Sequence, residues 1–116
     1  MKHADTTKYK GMFTPLIASR AVQAAMMVLK PGESSSENPE NEHPAAEQWL
    51  LVIAGSGRAK VGRRTLRLRE GSLLLIERGE SHQITNTGKQ PMTTVNFYAP
   101  PAYTKDGDVK PSVKRA

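Results

Sequence analysis

The sequence predicts an all-β sandwich or barrel, and three observations support that prediction. Short apolar runs recur at close, regular spacing, and turns that contain glycine separate them. No segment after Pro31 has a sustained helical period. The chain has 116 residues and no cysteine, so we expect one domain that folds without disulfides.

The apolar runs predict seven strands in order. The first covers residues 22–29, where the length and the closing turn Lys30-Pro31-Gly32 favour a strand, although its alanines and methionines have helix propensity. The others cover residues 48–54, 58–61, 65–69, 72–77, 82–86 and 92–98. Pro100 and Pro101 then end the sheet, because proline cannot donate to a central ladder. We expect a loose arm over residues 1–12, the domain over 13–103 and a polar tail over 104–116.

The charge distribution argues against a polyanionic partner. Lysine and arginine outnumber aspartate and glutamate by 17 to 11, but the excess lies at the termini and on residues 63–69. On that segment arginines alternate with Leu66 and Leu68, which is typical of the wet face of a half-buried strand. We therefore expect neither nucleic acid nor a membrane as a partner. The polar N-terminus and the lack of a long apolar run indicate a cytoplasmic protein.

Residues 33–47 form a long loop that carries a histidine. The segment holds three serines, two prolines and five acidic residues, and it has no strand or helix period. Loops of this length in small domains are usually functional or disordered. His43 stands in this loop just before a hydrophobic strand. We expect the loop to be a mobile lid that brings His43 into a site.

A segment that begins at Gly71 resembles the second sequence motif of the cupin family. The motif has five fixed positions, and Gly71, Gly79, His82 and Asn86 match four of them at the required spacing. Glu77 stands where the motif has proline. The resemblance implies a cupin double-stranded β-helix, or jelly-roll barrel, with His82 as a metal ligand.

The first cupin motif is matched less closely. Counting back from Gly55, Gln48 takes the glutamate position, His43 the second histidine position and Asn41 the first. The resemblance therefore implies a metal shell of His43, Gln48, His82 and Asn41, in which amides replace two of the usual ligands. Nitrogen and oxygen donors of this kind suit one divalent ion, and zinc, manganese, iron and nickel all stay open.

Such a shell contains no carboxylate, so we expect Glu42, Glu47 or a water molecule to approach the ion. Strand alternation points Glu47 away from the barrel if Gln48 points inward. Glu47 and Glu77 are the candidate proton-transfer groups. Asn96, between two apolar residues, either faces the barrel interior or satisfies a strand end.

Three further stretches, residues 43–50, 76–88 and 94–103, look like one subgroup of small cupins. They resemble the tetracenomycin polyketide synthesis proteins, and the resemblance runs from about residue 13 to residue 103. In that subgroup glutamine after an acidic residue is usual at position 48. The resemblance implies a metal site and a homodimer, but it does not fix a reaction.

Three functions remain open at this point. The leading hypothesis is an auxiliary enzyme that uses Lewis-acid metal chemistry on a small aromatic or polyketide-like metabolite. The second is a non-catalytic module that binds or senses a small molecule. The third is an iron-dependent dioxygenase, which ranks lower because Gln48 stands where such sites have a carboxylate. Whether the protein is catalytic at all is not decided by the sequence.

Overall fold

The computed structural model describes residues 1–115 and contains eight antiparallel strands. They are β1 Phe13–Ala18, β2 Gln23–Leu29, β3 Glu47–Ala54, β4 Ser56–Val61, β5 Arg64–Arg69, β6 Leu73–Ile76, β7 His82–Asn86 and β8 Met92–Ala99. Two sheets result, with strand orders β1-β2-β8-β3-β6 and β5-β4-β7. The predicted all-β class and all seven predicted strands are confirmed. The final residue of the predicted tail, Ala116, lies outside the described residues.

Alternation along the strands decides which side chains enter the barrel. In β3, Gln48, Leu50 and Val52 are buried while Trp49 between them is exposed. In β8 every second residue from Met92 is buried. Since neighbouring residues of a strand point to opposite faces, each strand sends one row of side chains inward.

The core fills much of the space between the two sheets. It is apolar and is formed by residues of β2 to β8, among them Leu29, Leu50, Ile76, Ile84 and Met92. Buried polar side chains adjoin it directly: Gln48 lies opposite Ile76, and Asn96 lies opposite Leu50. Packing therefore holds a small polar cluster against the apolar core.

Gly57 lets β4 approach β7 and β8 closely. A Cβ atom at this position would lie 2.3 Å from the carbonyl oxygen of Thr85 and 2.7 Å from the sulfur of Met92. Distances this short do not occur for real Cβ atoms, so a larger residue would push the strands apart. Glycine is required here for packing.

The acidic loop is paired with the barrel along much of its length. The Ser35 amide donates to the Ile84 carbonyl at 2.8 Å, and Glu40 and His82 exchange backbone hydrogen bonds of 3.1 and 2.9 Å. The loop thus extends the smaller sheet as an irregular edge beside β7. This ladder contradicts a lid that is free over the whole of residues 33–47. Residues 36–39, between the two paired stretches, are held only through Gln83, whose Nε2 donates to the carbonyls of Ser36 and Glu37 at 2.8 and 3.0 Å, and they are the remaining candidate mobile segment.

The chain after β8 folds back over the mouth of the barrel. Gln23 Oε1 accepts from the amides of Ala102 and Tyr103 at 3.0 and 2.9 Å, and its Nε2 donates to the Tyr103 carbonyl at 2.8 Å. Further along, Val113 is fully buried in a second apolar cluster with Tyr98. The segment that looks like a polar tail therefore forms a wall of the barrel mouth.

No helix within residues 1–115 is long and apolar enough to cross a membrane. The only helical elements described are two short 3-10 turns, Thr6–Lys8 and Pro111–Val113.

Candidate metal centre

His43 lies at the end of the acidic loop, with only 1% of its surface exposed. Its Nδ1 is 3.3 Å from the carbonyl oxygen of Ala46, and its Nε2 is 3.0 Å from Oε1 of Gln48. The Ala46 amide donates to the His43 carbonyl at 2.9 Å and closes a tight turn. This turn brings the Ala46 carbonyl and the Gln48 side chain next to the imidazole ring. Pairing of the loop with β7 and this turn together fix the imidazole inside the barrel.

Gln48 starts a chain of buried side-chain hydrogen bonds across the sheet. Its Nε2 donates to Oδ1 of Asn96 at 3.0 Å, and Nδ2 of Asn96 donates to the Thr94 hydroxyl at 2.9 Å. All three residues point inward from β3 and β8, and none is more than 4% exposed. This hydrogen-bond network uses the amide nitrogen of Gln48, so the amide oxygen of Gln48 is directed at His43. Of the two interpretations for Asn96, the one with the side chain in the barrel interior is confirmed.

His82 begins β7 and faces the same interior. Its Nδ1 lies 3.1 Å from the backbone carbonyl of Glu80, which fixes the proton on Nδ1 in the neutral ring. The ring centroids of His82 and His43 are 5.2 Å apart. Burial lowers the pKa of His82 below its usual 6.5, and the nearby His43 acts in the same direction. The neutral, metal-binding form of the ring is therefore favoured.

The three side chains fit a divalent ion by chemistry and by spacing. Neutral imidazole nitrogen and amide oxygen are accepted ligands, and an ion held by two imidazoles sits about 3 Å from each ring centre, so the centres must lie within roughly 6 Å. The separation of His43 and His82 satisfies that limit. Within residues 1–115, however, no group of three His, Asp or Glu side chains converges as a metal site. The candidate centre therefore depends on the amide of Gln48 as its third protein ligand.

A cavity of about 250 Å³ opens beside these residues. Gln48 and His82 form part of its wall together with the carboxylates of Glu40 and Glu42. The rest of the wall is mainly apolar or hydroxylated: Met12, Phe13, Met27, Ser35, Ser36, Ile84, Tyr98, Tyr103 and Gly107. A small molecule in the cavity would touch both the candidate ligands and an aromatic surface.

Tyr103 links this cavity to the acidic loop. Its hydroxyl donates to Oε1 of Glu42 at 2.6 Å, and its ring packs edge-on against Tyr98 with 4.9 Å between centroids. Burial raises the pKa of both tyrosines well above 10. Both phenols are therefore neutral near pH 7, and Tyr103 acts as a hydrogen-bond donor.

The cupin domain family matches residues 25–98, more than half of the chain. The chain belongs to the cupin family. The match covers β2 through β8 and therefore includes every side chain of the candidate centre, and it confirms the resemblance found in the two motifs.

Two proteins of known name and one solved structure show where this cupin stands. It is 35% identical over 72 residues to the tetracenomycin polyketide synthase protein TcmJ of Streptomyces glaucescens, an alignment that covers 62% of this chain and 46% of that protein. It is 27% identical over 107 residues to the mannose-1-phosphate guanylyltransferase ManC of Salmonella typhimurium, covering 92% of this chain and 22% of that one. The chain thus spans less than half the length of either relative. The crystal structure of BH2720 from Bacillus halodurans superposes with a TM-score of 0.78 at 26% identity, covering 90% of this chain and 80% of that one.

The structure brings together only part of the ligand set expected for this cupin. His43, Gln48 and His82 converge. Asn41 does not join them, because its Nδ2 donates to the Glu80 carbonyl at 3.0 Å and its Oδ1 accepts from the His43 amide at 2.9 Å. Its role is to hold the loop and the turn before β7 together.

The two candidate proton-transfer groups lie on the outside. Glu47 points to the opposite side of β3 from Gln48, as strand alternation requires, and its Oε2 accepts from the indole of Trp49 at 2.6 Å. Glu77 is exposed and shares an outer depression with Glu47 and Arg78. Neither carboxylate reaches the cavity, so neither is kept as a proton-transfer group.

Sequence reasoning missed Tyr103, Tyr98 and Gln23. Tyr98 follows the same inward alternation as Asn96 in β8 and could have been found from it. Gln23 and Tyr103 are 80 residues apart in sequence, and their hydrogen bonds depend on the tail folding back. No local pattern predicts that contact.

Proposed function

We propose that this cupin binds one divalent metal ion through His43, Gln48 and His82 and acts as an auxiliary enzyme on a small aromatic or polyketide-like metabolite. One observation carries the metal part of the proposal. In both histidines Nδ1 faces a backbone carbonyl, that of Ala46 for His43 and that of Glu80 for His82. Metal-binding histidines commonly have such a partner, because it fixes the tautomer in which Nε2 carries the lone pair.

The two tautomers of the His43 ring differ at the place where the ion would bind. In the tautomer with the hydrogen on Nε2, that nitrogen donates to Oε1 of Gln48 across their 3.0 Å contact. If that hydrogen moves to Nδ1, the Ala46 carbonyl accepts it. Nε2 and Oε1 then face each other as two free donors of electron pairs, and a cation between them removes their repulsion. The site can therefore exchange a proton position for an ion without rebuilding the loop.

The cavity supports a small ligand. Its volume of about 250 Å³ is below the range of about 300–1,000 Å³ found for drug-sized ligands, so a compound of one or two rings, or the end of a longer one, is the expected size. Phe13, Tyr98 and Tyr103 supply aromatic walls. The named relative TcmJ is a polyketide synthase protein, which favours a metabolite of that class. A divalent ion at the centre would polarise a carbonyl or enol oxygen of the bound metabolite.

Glu42 and Tyr103 take the proton-transfer roles that the outer glutamates cannot perform. Glu42 lines the cavity, and its carboxylate already accepts a hydrogen bond from the Tyr103 hydroxyl. A carboxylate that is partly exposed can accept a proton from the ligand, and a neutral phenol can donate a hydrogen bond to a ligand oxygen. Both groups lie on the cavity side of the candidate centre.

A non-catalytic binding module is the second candidate. It is favoured by the three protein ligands, which include no carboxylate, and by the outward placement of Glu47 and Glu77. In that case the ligand binds stoichiometrically and leaves unchanged. Product formation in the presence of metal distinguishes the two functions, because only the enzyme converts its ligand.

We also propose that the protein is a homodimer through the outer face of the larger sheet. Trp49 pairs with Phe97 on one side and Leu75 on the other, which places three large apolar side chains in a row across β8, β3 and β6. Each is more than a third exposed. A second copy of the same face would cover this row in a symmetric contact.

Elemental analysis tests the proposed centre. Protein purified without chelator should contain close to one divalent ion per chain, while His43→Ala and His82→Ala should lose most of it. His3→Ala is the matched control, because His3 lies in the N-terminal arm. Full metal content in His82→Ala would contradict the proposal.

The ligand 2-acetyl-1-naphthol, which has a carbonyl beside a phenol, then tests the cavity. We expect it to bind only in the presence of metal and to bind more weakly to Tyr103→Phe. Conversion of the compound to a product would indicate an enzyme, and binding without conversion would indicate a binding module.

A further inference from the structure

The outer face of the smaller sheet collects positive charge from two strands. The strand register sets Arg58 directly opposite Arg67, Ser56 opposite Arg69 and Lys60 opposite Thr65. Because directly opposed residues share a face of a sheet, four cations lie on one surface: Arg58, Lys60, Arg67 and Arg69. We refer to them as the basic face. The neighbouring positions of β7 on this surface, Gln83 and Thr85, are uncharged, so no strand residue here contributes a carboxylate.

A depression of about 260 Å³ lies on this surface between the two opposed arginines. Its wall is formed by Arg58 and Arg67, by Thr65 and Thr87, and by Gly57 and Leu66. Two arginines, with their guanidinium groups, and two threonines, with their hydroxyls, thus line one small space. All four groups can donate hydrogen bonds, and the arginines cannot accept any.

Arg58 is incompletely satisfied in this arrangement. Its Nε is buried and, among the described residues, is the single buried side-chain nitrogen or oxygen without a hydrogen-bond partner. A buried donor on a charged group that lacks a partner is costly, and like charges directly opposite each other in a sheet repel. Both costs fall at Arg58, and an anion bound in the depression would offset the repulsion between the two arginines.

We propose that the depression between Arg58 and Arg67 is a binding site for a phosphate group of a small molecule. Two guanidinium forks match a phosphate, since each fork can make two parallel hydrogen bonds to its oxygens, and the threonine hydroxyls supply further donors. The surface carries no aromatic side chain at the strand positions of the basic face, so base stacking adds nothing to binding. The depression shares no lining residue with the cavity, so it is separate from the candidate metal centre.

Titration with inorganic phosphate tests the site. The full-length, metal-free protein should bind phosphate at one site per chain, measured by calorimetry, with sodium chloride keeping the ionic strength constant. Arg67→Gln should weaken binding by about tenfold or more, because a hydrogen bond to a charged group is lost. Arg78→Gln removes the same charge from an exposed turn outside the basic face and should leave phosphate affinity unchanged. Arg58→Gln should weaken phosphate binding as Arg67→Gln does. If Arg58→Gln does not fold, Arg58→Lys and Thr65→Val replace it. Each of these variants removes hydrogen bonds from the site and should weaken binding.

Two comparisons identify the source of the phosphate. Tighter binding of phenyl phosphate than of free phosphate would assign the site to a phosphorylated metabolite, and the reverse order would assign it to the free ion; both support the proposal. The proposal is overturned if phosphate binds no more tightly than chloride or acetate. It is also overturned if Arg78→Gln weakens phosphate binding as much as Arg67→Gln. Binding only to phosphatidylglycerol vesicles or to duplex DNA, without binding of free phosphate, would also overturn it.

Discussion

Nε2 of His43 and Oε1 of Gln48 lie 3.0 Å apart in the interior of the barrel. This contact joins the acidic loop to β3, and through Gln48 it joins the chain of amides that ends at Thr94. The candidate metal centre is therefore held by hydrogen bonds before any ion arrives. It also means that the third ligand is neutral, which limits the affinity for a divalent cation.

Replacement of Gln48 by glutamate should strengthen metal binding. Gln48→Glu adds a negative charge at the same distance from His43, and the affinity of oxygen ligands for divalent ions rises with ligand charge, so we expect about a tenfold or larger gain. Gln48→Leu should lose most of the bound metal. Competition with a chromophoric chelator measures both variants against the wild type. A Gln48→Glu protein that binds metal no more tightly would show that this side chain lies outside the shell.

Amide hydrogen exchange should divide the acidic loop into two parts. The amides of Ser35 and Glu40 bond to β7 and should exchange slowly even in metal-free protein. Residues 36–39 should exchange faster, and metal should slow them only if this short segment closes over the cavity. Ser35→Ala, which removes the hydroxyl that accepts from the Ile84 amide at 2.9 Å, should loosen the first part and serves as the comparison. Rapid exchange at both Ser35 and Glu40 would restore a lid that moves as a whole.

The stability of the metal-free protein should fall in mild acid because of His82. Its pKa is lowered in the folded state, so the unfolded chain binds a proton more readily below about pH 6.5, and folding loses the corresponding free energy as the pH falls. Urea unfolding at about pH 7.5 and about pH 5.5 measures this loss. His82→Gln should lose less stability than the wild type between the two conditions. Equal losses in both proteins would exclude His82 as the source.

Gln23 should contribute strongly to stability through the tail. Gln23→Leu leaves the buried amides of Ala102 and Tyr103 without an acceptor, which should lower the free energy of unfolding by about 2–4 kcal/mol. Gln23→Glu keeps that acceptor, but when ionised it buries a charge and sets a carboxylate oxygen against the Tyr103 carbonyl, so it should also lower the free energy of unfolding. Thermal unfolding of the three proteins gives the order. A Gln23→Leu protein as stable as the wild type would mean that the tail is held by its apolar contacts alone.

A charged residue at Phe97 should separate the proposed homodimer. Phe97→Lys places a cation beside Trp49 at one end of the apolar row, and burying an unpaired charge there is unfavourable. Light scattering at micromolar concentration should show a dimer for the wild type and a monomer for the variant. Thr65→Lys adds the same charge to the outer face of the other sheet and should remain dimeric. A monomeric wild type would contradict the proposal.

The sequence by itself determined the all-β class, the positions of seven of the eight strands and the strand positions of Gln48 and His82, two of the four expected ligands; β1 was not predicted. These features depend on local information: alternation in β3 and β8 decides that Gln48 and Asn96 face inward, and the spacing from Gly71 to Asn86 places His82 at the start of a strand. The resemblance to cupins depends on the same short-range spacing. Alternation in β3 also predicts that Glu47 points outward, and its carboxylate accepts a hydrogen bond from the exposed Trp49.

Only the tertiary structure decided what surrounds these ligands. Asn41 donates to the Glu80 carbonyl and does not join the other expected ligands. Gln23 binds the backbone that leads into the segment predicted to be a polar tail. Tyr103, which follows the last strand, lines the cavity. Each of these contacts joins residues 39 or more positions apart, so their partners cannot be found from composition or period. The same holds for Arg58 and Arg67, which lie on different strands and face each other only because β4 and β5 pair in one register. Short-range patterns fix which way a side chain points, and long-range packing fixes what it meets.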